Sequence, residues 1–180
     1  MNRFFGLVPL IILITLTGFN YKAANTDWTI VSSAVTFKIK NAGFTIDGKF
    51  GPITGTITFD EAENSGNFID AIIYSKTLNT GNDLRDEHIK KKDYFNVDKF
   101  PQIEMKATLF DKETNGTFKG NFKLTLKNKT KDVVVPFSFT QKDGKGVFKG
   151  TFTINRLDYG VGTSSTVSYT HLTLPTNREV

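Results

Sequence analysis

Past its first two dozen residues the chain alternates between apolar and polar positions. Phe37 and Ile39 stand between Thr36, Lys38 and Lys40, and Ile53, Gly55, Ile57 and Phe59 are separated by Thr54, Thr56 and Thr58. Ile69, Ala71 and Ile73 repeat the rhythm, as do Ile103, Met105, Ala107 and Leu109, then Phe118, Gly120, Phe122, Leu124 and Leu126. Val133, Val135, Phe137 and Phe139 follow, and Phe148, Gly150, Phe152 and Ile154 complete the set. A period of two predicts strands that bury one face and wet the other. Turn signals lie between the runs, among them Asn115-Gly116, Lys127-Asn128-Lys129 and Asp143-Gly144-Lys145-Gly146. Short connections pair neighbouring strands in sequence order. With about eight strands, closure into an up-and-down barrel removes the exposed edges. The expected fold class is therefore all-β, an eight-stranded antiparallel barrel.

One segment breaks the rhythm. Residues Thr80 to Lys90 read as a short helical insertion, with Asn82 or Asp83 at its start and Lys90-Lys91-Lys92 at its end, matching the helix dipole. The chain continues through Asp93-Tyr94-Phe95 to Phe100-Pro101, where the proline returns it to extended structure. This insertion is a candidate flap over one barrel mouth. A small echo, Phe118-Lys119-Gly120-Asn121-Phe122 and Phe148-Lys149-Gly150-Thr151-Phe152, places a glycine between two inward phenylalanines. Such a glycine either relieves crowding or leaves room for a ligand.

The ends of the chain change the picture. Met1-Asn2-Arg3 and the apolar run from Phe4 to Phe19 read as an export signal over residues 1–24, cleaved near Ala23-Ala24 or kept as an anchor. Residues 25–167 then form one β-barrel domain, working in the periplasm or secreted. Residues 168–180, Ser168 to Val180, do not continue the pattern and read as a translated sequencing adapter in place of the natural last strand, although Thr170, Leu172 and Leu174 alternate. Cysteine is absent, which excludes disulfides, a thiol nucleophile and an N-terminal lipidated cysteine. The net charge is +5, and removing Arg3 and Lys22 with the leader leaves 21 bases against 18 acids. That balance is too weak to argue for nucleic acid, and permits contact with an anionic membrane.

Several stretches, taken in order, resemble the YceI-like family of lipocalin-like, polyisoprenoid-binding exported proteins. They begin with Trp28 and Ser32-Ser33-Ala34-Val35-Thr36-Phe37. Leu78-Asn79-Thr80-Gly81, Arg85-Asp86-Glu87-His88-Ile89, Asp93-Tyr94-Phe95 and Phe100-Pro101-Gln102-Ile103 follow. Gly120, Leu124-Thr125-Leu126, Lys129-Thr130-Lys131 and Asn155-Arg156-Leu157-Asp158-Tyr159-Gly160 complete the resemblance, which runs from Trp28 to Val167. It implies an eight-stranded antiparallel lipocalin-like barrel with a short helical insertion, a long apolar cavity and a bound isoprenoid or similar amphiphile. Some relatives are linked to stress responses.

An eight-stranded barrel either fills its interior or encloses one ligand. The alternation leaves both open, and the resemblance favours a cavity. The candidate lining is Phe37, Ile39, Ile57, Phe59, Ile73, Ile103, Met105, Phe122, Phe137, Phe139, Phe152 and Ile154. Arg85, Asp86 and His88 either pin the insertion or meet a head group. Arg156 continues the inward parity of Ile154 at the strand end, where a buried arginine needs a partner such as Asp158. One histidine among acids on a short helix is a weak metal signal, because adjacent helical positions do not converge. No nucleophile–base pair or phosphate loop is legible, so no enzyme, resident cofactor or metal is expected. The leading expectation is a carrier of a polyisoprenoid or quinone-like lipid, with transient membrane contact. The alternative is a periplasmic structural or stress-protective module with a filled barrel and a protein partner.

Overall fold

A computed structural model describes residues 25–41, 44–63, 65–163 and 169–176. The expected leader, 1–24, lies outside them. The strands are β1 (Asp27–Trp28), β2 (Val35–Asn41), β3 (Phe44–Phe50), β4 (Thr54–Thr58), β5 (Phe68–Tyr74), β6 (Gln102–Lys112), β7 (Phe118–Leu126), β8 (Lys129–Lys142), β9 (Lys145–Asn155) and β10 (Tyr169–Thr176). Among the described residues one α-helix, α1 (Asp83–Lys90), interrupts them between β5 and β6. The strands form one antiparallel sheet in the order β1-β4-β5-β6-β7-β8-β9-β10-β2-β3, curled around one core. From β4 to β10 every strand pairs with its sequence neighbour, across short turns at β6–β7, β7–β8 and β8–β9 and across the long insertion at β5–β6. The β7–β8 and β8–β9 turns use Lys127, Asn128, Asp143 and Gly144 at positive φ, the backbone that two-residue hairpins demand.

The fold class is as expected, with two additions and an open seam. β1 is a two-residue strand, and β3 carries the alternation Phe44, Ile46, Gly48 and Phe50, which lies hidden behind a glycine. A Cβ on Gly48 would stand 2.2 Å from the Phe37 ring, so the ring occupies that space. β3 and β4 follow one another in the chain, yet no ladder joins them among the described residues. Side chains satisfy the backbone donors there instead. Gly51 N donates to Thr77 Oγ1 at 2.8 Å and Ile53 N donates to Ser33 Oγ at 2.7 Å. The insertion also lends β3 one bridge, Lys49 with Asn79. These bonds pair the amides at and after β3, as the cost of unpaired buried amides requires, and leave β3 and β4 unjoined.

β6 departs from strict alternation. Its register with β7 shifts between Ala107 and Leu109, and this bulge turns Leu109 outward (66% exposed) and Phe110 into the core. Leu109, read as inward from the pattern, is therefore outward. Phe110 takes its place against Phe59, with ring centroids 5.6 Å apart. β10 lies between β9 and β2, with eight residue pairs to β9 and four to β2. Backbone pairing of this kind is open to any alternating segment of that length. The origin of residues 168–180 therefore rests on their sequence, and 164–168 and 177–180 lie outside the described residues.

Candidate functional site

The interior divides into a filled end and a hollow one. At the filled end Phe59 is fully buried, with the rings of Phe110, Phe118, Phe137, Phe139 and Phe148 between 5.1 and 5.8 Å from its own. Trp28 seals that end, packing edge-on against Phe139 at 5.5 Å and donating from Nε1 to the Phe59 carbonyl at 2.8 Å. Phe59 and Phe139, expected to line a cavity, are thus packing residues. Strand parity points a side chain inward and does not say whether another ring already fills the space.

Towards the insertion the interior opens into an outer cavity of about 780 Å³, counting the part continuous with solvent. Phe37, Ile39, Ile73, Ile103, Met105, Phe152 and Ile154 line it, as their parity predicts. A second cavity, inner only in lying against the filled end, has about 590 Å³, again counting the part continuous with solvent, and borders Ile57, Met105, Phe122 and Phe137. The two share Ile53, Ala71 and Met105, which border both. Sequence reasoning passed over several walls. Val35, Leu124 and Leu126 continue the same alternating runs and could have been included. Phe50 belongs to the strand hidden behind Gly48. Phe95 comes from the insertion, where no periodicity announces it, and reaches the cavity while packing on Phe50 at 6.0 Å. The paired glycines separate: Phe122 fills the space beside Gly120, whereas Gly150 faces the inner cavity.

The insertion is tied down by its polar residues. Asn82 caps α1, its Oδ1 accepting from Arg85 N at 3.0 Å. Asp86, only 5% exposed, accepts from Thr80 N at 2.9 Å and from Thr80 Oγ1 at 2.6 Å. Arg85 closes the same knot, donating from Nε to Thr80 Oγ1 at 2.7 Å and from Nη2 to Thr80 O at 2.9 Å. His88 packs on Tyr94, ring centroids 4.9 Å apart. None of the three lines either cavity. Replacing Asp86 by alanine leaves Thr80 without its buried acceptor, and should cost about 1–3 kcal/mol. Urea unfolding would read that loss, with faster amide exchange confined to residues 79–95.

Among the described residues, Arg156 is the one charged residue in the cavity walls. Its Nη1 donates to Val161 O at 2.6 Å and its Nη2 to Thr163 O at 3.2 Å. Asp158, expected as its partner, instead faces Lys131 at 3.5 Å and accepts from Asn155. The short 3-10 turn Arg156–Tyr159 sends the two side chains apart. Beside it, Lys127 donates to Gly160 O at 2.7 Å and to Lys92 O at 3.2 Å, joining the β7–β8 turn to the end of the insertion. Burial lowers the pKa of Lys127, with Asp93 opposing and Lys129 adding to the shift. Burial likewise raises the Tyr159 phenol, aided by Asp158 and Asp132. The mouth is thus polar and basic, above walls that are almost wholly hydrocarbon.

A curled antiparallel sheet around an apolar cavity, capped by a short helical insertion, defines a lipocalin-like β-barrel protein. The chain belongs to the YceI-like domain family, whose sequence profile matches residues 28–175. A UPF0312 protein of Yersinia enterocolitica is 32% identical over 125 residues, covering 67% of this chain and 64% of the relative. The chain thus spans less than two thirds of that relative's length. A UPF0312 protein of Pseudomonas savastanoi pv. phaseolicola is 33% identical over 134 residues, 71% of this chain and 70% of the other. Among solved structures, Burkholderia cenocepacia BcnA superposes with a TM-score of 0.75 at 21% identity, covering 79% of this chain and 93% of that one. A polyisoprenoid binding domain from Saccharophagus degradans superposes at 0.64 with 12% identity, over 85% of this chain and 96% of its own.

Proposed function

We propose that this protein binds and carries an amphiphilic lipid with a long apolar chain, of the polyprenyl or quinone type, outside the cytoplasm. The observation that carries this reading is the pair of adjoining hydrocarbon-walled cavities beneath a mouth bearing Arg156. Such a shape suits a long chain inside and a polar group at the rim. The family and the polyisoprenoid binding domain of the same fold support it. Water cannot satisfy its hydrogen bonds against such walls, so the space favours an apolar guest.

Magnitudes favour a carrier over a tight receptor. A chain of about forty carbons gains on the order of 30 kcal/mol on leaving water, at about 0.8 kcal/mol per carbon. Non-covalent affinity stops near about 20 kcal/mol, so ordering of the chain must cancel much of that gain. In a cell the lipid comes from a bilayer, where it is already out of water. Net preference is therefore modest and exchange is feasible.

Native mass spectrometry with lipid extraction tests the reading. A reproducible isoprenoid should accompany the protein and be lost from Phe152→Asp, with circular dichroism showing the fold intact. Protein that stays empty after exposure to polyprenyl chains in vesicles would overturn it.

A further inference from the structure

The lysines of the sheet's outer wall and those of the mouth differ in their partners. On the wall Lys38, Lys106, Lys119 and Lys123 each reach a carboxylate oxygen at 3.2 Å or closer. At the mouth, Lys90, Lys91, Lys92, Lys127 and Lys129 have no carboxylate within 4.0 Å among the described residues. The bonds of Lys127 to Lys92 O and Gly160 O gather the lysines of the insertion and the β7–β8 turn into one patch beside the outer cavity. At the filled end bases do meet acids: Lys112 reaches Glu61 of loop 60–67 at 3.8 Å and Lys119 reaches Glu113 at 3.0 Å.

A second observation lies on the same insertion. Leu84 is 85% exposed on the first turn of α1, and its helical spacing sets it on one face with His88. Asp83 and Glu87 dilute the charge at that end of the helix, which leaves the lysines at its C-terminal end as the electrostatic anchor. An apolar side chain beside unpaired lysines fits a surface that is anionic outside and hydrocarbon beneath.

We propose that the mouth end docks on a bilayer bearing anionic head groups, so that a lipid chain passes between membrane and cavity without crossing water. Lys91, Lys92 and Lys129 hold the surface, and Leu84 enters the head-group layer. The proposal rests on the carrier reading, because it concerns how the cavity is filled. The opening and the lysines lie together, and Leu84 stands exposed on the insertion that carries Phe95 into the cavity wall.

The test is sedimentation of the protein with vesicles of phosphatidylcholine alone and of phosphatidylcholine mixed with phosphatidylglycerol. Loading of a polyprenyl alcohol from neutral detergent micelles is measured in parallel. The protein should pellet with the mixed vesicles, and raising the salt should release it as screening shortens the reach of the charges. Changing Lys91, Lys92 and Lys129 together to glutamate should weaken vesicle association at least tenfold, at about fivefold per lysine removed. Loading from detergent should not change, because none of the three lines a cavity. Leu84→Ser should weaken vesicle association with the salt dependence kept. Equal association with both vesicle types, or an unaffected triple variant, would overturn docking and leave the carrier reading in place. Association with vesicles without any loading from detergent would overturn the carrier reading alone. Retention on polyglutamate but not on vesicles would assign the face to an acidic protein and overturn the membrane proposal.

Discussion

Ala71→Phe should abolish binding of long-chain lipids while leaving the protein folded. Ala71 lies on β5 opposite Met105 and is one of three residues shared by the outer and inner cavities. A ring built there grows into space that is open on both sides, so crowding is relieved into the cavities. The stability cost should stay at or below the usual about 1–3 kcal/mol of an added side chain. Affinity for a long polyprenyl chain should fall more than tenfold, a loss of at least about 1.4 kcal/mol. A short chain that needs only the outer cavity should still bind. Native mass spectrometry against a series of polyprenyl alcohols of increasing length reads both effects. A variant that binds the whole series like the parent would show that the chain does not run between the cavities.

Phe59→Ala should be the most damaging single truncation at the filled end. Its ring is wholly buried and meets five others, four of them within 5.6 Å. Removing a buried phenylalanine costs about 3–5 kcal/mol, and edge-to-face contacts of this kind add to the loss from area alone. Against a total stability of about 5–15 kcal/mol, that takes a large fraction. Chemical denaturation would show it as a lowered midpoint with little change in slope. The same truncation has a second consequence. Phe137 and Phe148 touch Phe59 on one side and line the inner cavity on the other, so the new space borders the old. The variant should accept a longer chain than the parent, provided it is assayed below its melting point. A loss under about 1 kcal/mol would mean that the phenylalanine cluster collapses to fill the hole.

Strand positions were legible because the physics that makes them is local. Successive side chains of a strand point to opposite faces, so Phe37, Ile39, Phe152 and Ile154 announce their side without reference to the rest of the chain. The cap of α1 and the hairpin turns are local too, since each is decided by a few adjacent residues. The errors fall where one strand must answer to another. Leu109 was misplaced because the bulge in β6 exists only in its pairing with β7. β3 was missed because Gly48 interrupts its run of apolar residues, and only the packing of Phe37 explains why a glycine stands there.

The site divides along the same line. The alternation determined that the protein is a one-sided antiparallel sheet with a phenylalanine-rich interior, because the period of apolar positions is a property of sequence alone. It could not tell a lining residue from a packed one. Phe59 and Phe122 share inward parity, yet one lies inside a ring cluster and the other borders a cavity. Which of them meets empty space depends on how many rings arrive from β6, β7, β8 and β9 at the same height, and that is a sum over distant segments. The partners of Arg156 are likewise set by how the chain turns after β9, which gave it backbone carbonyls and gave Asp158 to Lys131. The mouth took its basic character from the insertion and the β7–β8 turn. They lie more than thirty residues apart in sequence and meet where Lys127 reaches Lys92 O, a bond with |i−j| of 35.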